Sequence, residues 1–95
     1  MNTLEVQFRK LKGEIIAVFP YEIGGRFTVM SYQHIGQHSE CSWDINTFTK
    51  PAKETEYKDL LNELKGIYND VKLVVIKRRQ HKKYLKAYYN ARKIS

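Results

Sequence analysis

Five consecutive apolar residues, Ile15-Ile16-Ala17-Val18-Phe19, stand between the turn-forming pair Lys12-Gly13 and Pro20. Extended, such a run is apolar on both faces, the pattern of a strand covered on both sides or central in a sheet. It is the longest uninterrupted apolar run in the chain and falls far short of the roughly 20 residues that cross a bilayer, so no membrane helix is expected. The chain must bury this strand itself, and its 95 residues supply material for one hydrophobic core. The hydrophobic fraction of 42% and charged fraction of 28% are ordinary globular usage, which argues against disorder. Met1-Asn2-Thr3-Leu4-Glu5 has neither the basic region nor the apolar region of a secretory signal, and the single Cys41 permits no internal disulfide; both point to the cytoplasm.

Leu4, Val6 and Phe8 alternate with polar residues, which predicts a one-sided or edge strand over residues 4–9, followed by a central strand over 14–19. Pro20 has no N–H to donate and is expected to end the ladder. Gly24-Gly25 can take the positive φ angles of a two-residue hairpin, returning the chain as a third strand over 26–32. Residues 33–50 show no period and are expected to form a long loop with at most a short strand near Trp43. Tyr57, Leu60, Leu61 and Leu64 fall at helical spacing after Pro51, with Gly66 placed for a left-handed cap and residues 71–76 reading as a β-branched strand. Residues 79–94 contain no Gly or Pro and predict a second, amphipathic helix. The fold class is therefore α+β: a small antiparallel sheet in the order β-β-β-α-β with one helix packed on it, residues 1–78, and a basic C-terminal helix, residues 79–95, packed on that domain or extending from it.

Three blocks carry a resemblance: Phe8-Arg9-Lys10 with Gly13-Glu14-Ile15-Ile16-Ala17-Val18-Phe19-Pro20; Ser31-Tyr32-Gln33-His34-Ile35-Gly36-Gln37-His38; and Pro51-Ala52-Lys53-Glu54-Thr55-Glu56-Tyr57 running on to Leu64. Together they resemble a family of small bacterial proteins, found in mobile-element and phage settings and without an established activity, that share the pattern F-R-K…G-E-V-I-A-L-F-P…S-Y-x-H-x-G-Q-H…P-A-x-x-E-Y-x-x-L-x-x-E-L. The resemblance spans about residues 8–75, implies that this span folds as one unit, and marks the His-Gly-Gln-His loop. Lys53 stands where similar proteins often place a helix-capping Thr, and the basic tail lies outside the match.

The net charge of +7 is unevenly placed: residues 77–95 carry eight Lys/Arg and no acid, whereas residues 1–76 carry nine Lys/Arg against ten Asp/Glu. On a helical wheel Arg79, Lys82, Lys83, Lys86, Asn90 and Lys93 fall within about 100° of one another, opposite Tyr84, Leu85, Tyr88 and Ala91. This spacing points to a nucleic-acid-binding face, with Arg78, Arg79, Lys82, Lys83, Lys86 and Lys93 neutralising phosphates and Tyr89, flanked by Lys82 and Lys93, stacking on bases. The competing reading is a solvated helix whose apolar stripe docks on the sheet or on a partner. A membrane-surface role is disfavoured because Tyr and Ala make a shallow apolar face.

The loop offers separate chemistry. Tyr32, His34, Gln37, His38 and Trp43 are candidates for a ligand or partner site, with Gly36 permitting a tight turn. His34, His38 and Cys41 have ligand-type side chains, but nothing fixes their spacing in space, so neither a metal nor another cofactor is expected. His34 and His38 as general acid and base would make a ribonuclease, with no spacing that forces their rings to converge. The leading expectation is a small binding protein, not an enzyme, whose partner is nucleic acid. The alternatives are a protein-interaction module of a mobile element or phage and a two-histidine ribonuclease. An edge strand at residues 4–9 would also allow a homodimer.

Overall fold

The computed structural model describes residues 3–25, 28–33, 37–47 and 49–93, with the backbone only for Gln37, Arg92 and Lys93. Strand β1 (Thr3–Leu11) turns through Lys12 and Gly13 into β2 (Glu14–Ile23), with Leu11 opposite Glu14. Both turn residues take positive φ, 50° at Lys12 and 84° at Gly13, the backbone of the two-residue turn that matches strand twist. A side chain at Lys12 pays for that conformation, so Lys12→Asn is expected to stabilise the fold by about 0.5–1 kcal/mol, read as a higher denaturant midpoint at constant slope.

Pro20 does not end β2. It lies fully buried in an irregularity where the register jumps from Phe19↔Met30 to Ile23↔Val29, and a bulged position asks for no ladder N–H. Strand β3 (Thr28–Gln33) follows a turn in which Gly24 N donates to Thr28 O at 3.2 Å. Neither Gly24 nor Gly25 has positive φ, so the expected two-residue glycine hairpin is not formed. A Cβ on Gly24 would instead run into the Glu40 side chain.

The expected loop is largely a strand. β4 (Gln37–Ser42) pairs with β3 from Gln33↔Gln37 to Thr28↔Ser42, and a 3₁₀ segment (Trp43–Thr47) follows where a short strand was expected. Polar residues suffice for β4 because it is an edge strand with His38, Ser39 and Glu40 exposed, held by its ladder and by Ser31 Oγ donating to Ser39 O at 3.1 Å.

The sheet runs β4-β3-β2-β1, and two short strands share the far side of β1: β5 (Lys50–Pro51) antiparallel to Arg9 and Lys10, and β6 (Lys72–Val75) parallel to residues from Thr3 to Val6. β1 is therefore interior, not the edge strand expected, and both its faces are covered. Between β5 and β6 lies α1 (Glu54–Ile67), whose last turn contains Gly66; the C-cap is Tyr68, not a left-handed glycine.

The two faces of the sheet bury different cores. Val6, Phe8, Ala17, Phe19 and Tyr32 meet Leu60 and Leu64 of α1, with Phe8 stacked on Tyr57 at 4.3 Å. On the other face Ile16, Val18, Val29 and Ile45 meet Tyr84 of α2 (His81–Lys93), flanked by Trp43, Leu85 and Tyr88. The basic helix is thus a third layer, which explains why Ile15 to Phe19 is apolar on both faces. Among the described residues no helix is long and apolar enough to cross a membrane.

Candidate nucleic-acid interface

Docking of α2 divides its charges. Tyr84 is buried and stacks on Trp43 with ring centroids 3.6 Å apart and planes 18° from parallel. Arg79 covers the indole, its Cζ 4.0 Å from the Trp43 ring centroid, and donates to Trp43 O. Burial pulls the Arg79 pKa down, and the nearby Arg9 adds to that effect. Lys83 pairs with Glu5 at 2.6 Å and lies 4.8 Å from the Tyr21 ring centroid, while Gln80 N donates to Tyr21 Oη at 2.9 Å. Arg79 and Lys83, two of the expected phosphate contacts, are therefore engaged in fastening the helix to the sheet.

The rest of the set faces outward. Arg78, Lys82 and Lys86 are exposed, and among the described residues none has an acidic partner. Tyr89 is 58% exposed, the most exposed large hydrophobic residue described. Lys82, Lys86, Tyr89 and Lys93 fall within about 60° on the helical wheel with Tyr89 at one end of the arc, so the ring borders a lysine stripe. The apolar stripe seats the helix, and geometry then carries this line of charge away from the sheet.

The loop candidates do not form one site. Tyr32 and His38 are register partners on the α1 face, with rings 4.6 Å apart and edge-to-face. Tyr32 Oη donates to Glu63, and His38 Nε2 lies 2.8 Å from Tyr68 Oη. Trp43 is on the opposite face, under Arg79. His34 and Gly36 lie outside the described residues, as does the side chain of Gln37. Cys41 is three residues from His38 along an extended strand, so the two side chains point to opposite faces and cannot share an ion there. Burial pushes the Cys41 thiol up. Among the described residues no group of three His, Cys, Asp or Glu is placed to hold a metal.

Two residues that the sequence reading passed over are conspicuous in the fold. Gln7 and Arg9, 2% and 6% exposed, project from β1 beneath α2 and the 3₁₀ segment. Arg9 donates to Thr49 Oγ1 at 2.9 Å and to the carbonyls of Thr49 and Asn46 at 2.6 and 3.2 Å, and no carboxylate pairs with it among the described residues. Their polar character looks like a solvent face only if β1 is an edge strand; in an interior strand, the same two residues become buried polar groups that need partners.

No protein-family model, curated protein or solved structure matches this chain. The functional reading rests on the geometry.

Proposed function

We propose that this protein binds nucleic acid without strong sequence preference, through the outward face of α2. Arg78, Lys82, Lys86 and Lys93 neutralise phosphates, and Tyr89 stacks on a base. The observation that carries this reading is the exposed Tyr89 ring beside Lys82 and Lys86, which are exposed and have no acidic partner among the described residues, on a helix whose apolar face is already occupied by the sheet. A helix needing only solubility would gain nothing from an aromatic ring in that stripe, whereas a ring offers every base the same stacking surface and suits sequence-tolerant binding.

Removing the tail would be a poor test, since Tyr84 and Leu85 are part of the core. The double charge reversal Lys82→Glu/Lys86→Glu is cleaner because both side chains are exposed. It is expected to weaken binding of an arbitrary single-stranded oligonucleotide at least about tenfold, measured by fluorescence anisotropy, with the thermal midpoint nearly unchanged. Undiminished affinity in the folded variant would reject the reading.

A further inference from the structure

β5 leaves β1 at Arg9, and β6 pairs with it only as far as Val6. The chain closes over both ends of the interval, with Ala52 N donating to Phe8 O at 3.1 Å and Ile76 N to Val6 O at 2.9 Å. Between these segments lies a groove of about 620 Å³, within the range of small-molecule sites.

Its charge is one-sided. Lys53, Lys77 and Arg78 line it, with Glu54 the one acid among the lining residues. Arg9, which also lines it, brings a buried guanidinium held by Thr49 and Asn46 but with no carboxylate among the described residues, and burial lowers the pKa of that group. Glu54 begins the 14-residue helix α1, so the positive end of the helix dipole is at the same place, with the Glu56 amide already donating to Lys53 O at 2.8 Å. A buried, unpaired cation is costly, and an anion in the groove would offset that cost.

The floor adds a second requirement. Gln7, also in the lining, donates through Nε2 to Lys77 O at 2.9 Å, but its buried Oε1 has no donor among the described residues. An amide oxygen so placed asks for an N–H or O–H, which a bare inorganic anion such as sulfate does not supply. Tyr57, stacked on Phe8, gives the groove an apolar wall. The groove so lined would take a ligand that joins an anion, a donor and a flat apolar surface.

We propose that this groove binds a nucleoside monophosphate group, with its phosphate on Lys53, Lys77 and Arg78 and an amine or hydroxyl of its nucleoside directed to Gln7. The inference does not depend on the α2 stripe, although Arg78 adjoins both. The group can come from a free nucleotide or from the phosphorylated end of a strand.

Isothermal titration and amide chemical-shift mapping with adenosine monophosphate, inorganic phosphate, and oligonucleotides with and without a terminal phosphate distinguish these sources. Adenosine monophosphate is expected to bind more tightly than inorganic phosphate and to shift amides of Gln7, Lys53 and Arg78. Lys53→Ala/Arg78→Ala should weaken it about tenfold or more. Gln7→Met, which fills the same space but removes both the oxygen and the bond to Lys77 O, should weaken the nucleotide more than phosphate. Lys82→Glu/Lys86→Glu should leave nucleotide affinity intact, so the groove and the stripe stand or fall separately. A free nucleotide that binds alone, or an oligonucleotide that prefers a terminal phosphate in the Lys82→Glu/Lys86→Glu background, each supports the site and identifies its source. No nucleotide-dependent shift at millimolar concentration with either source, or nucleotide binding indifferent to Lys53→Ala/Arg78→Ala, would overturn it.

Discussion

Raising salt from about 50 to about 200 mM is expected to weaken binding of an unstructured single-stranded oligonucleotide about 50-fold. The figure follows from which cations the fold leaves free. Each neutralised phosphate on a single strand contributes a slope of roughly −0.7 in log affinity against log salt, so four contacts, from Arg78, Lys82, Lys86 and Lys93, give about −2.8. If Arg79 and Lys83 also reached phosphates, six contacts would give about −4.2 and a fall of about 300-fold over the same range. Arg79 lies over Trp43 and Lys83 is paired with Glu5, so the smaller slope is the expected one. Tyr89→Ala should separate the other component: a loss of about 1–3 kcal/mol in affinity with the salt slope unchanged, because stacking releases no counterions. A flat salt response, or a Tyr89→Ala variant that binds as well as the parent, would exclude the mode of binding argued for this helix.

The same assignments show what could be read from residues alone. Both long helices are legible because periodicity survives any context: Tyr57, Leu60 and Leu64 must share a face whatever they pack on. Ile15 to Phe19 also declares two covered sides. What covers the second side is not legible, because the apolar face of α2 would fit a partner as well as its own sheet. Strand β4 is invisible for a different reason. His38, Ser39 and Glu40 are exposed at a sheet edge, so the strand is specified by backbone pairing with β3 and leaves no apolar alternation behind. Pro20 misleads because a rule for regular ladders does not govern a bulge. The most consequential case is β1, where alternation of Leu4, Val6 and Phe8 with polar residues is common to an edge strand and to an interior strand with buried polar groups. Only the pairing of β5 and β6 along its far side decides between them, and with that decision Gln7 and Arg9 change from surface to groove lining.

Tyr84→Ala is expected to cost about 3–5 kcal/mol, a large part of the 5–15 kcal/mol that holds a domain of this size together. The side chain is 3% exposed and forms the contact through which α2 meets Trp43, Ile16 and Val18. An appended helix would lose less than about 0.5 kcal/mol on the same change, so urea denaturation of this one variant separates an integral third layer from a tail. Tyr84→Phe should move stability the other way. Burial pushes the Tyr84 phenol up, and its buried hydroxyl has no hydrogen-bond partner among the described residues. Removing that oxygen while keeping the ring stacked on Trp43 relieves a desolvation cost of about 1–3 kcal/mol, so the midpoint should be unchanged or higher. A clear loss of stability in Tyr84→Phe would mean that the hydroxyl has a partner in the folded protein. Should both results come out as expected, oligonucleotide binding in Tyr84→Phe must match that of the parent. The hydroxyl lies on the docked face of α2, and the helix then presents Lys82, Lys86 and Tyr89 from the same rigid seat.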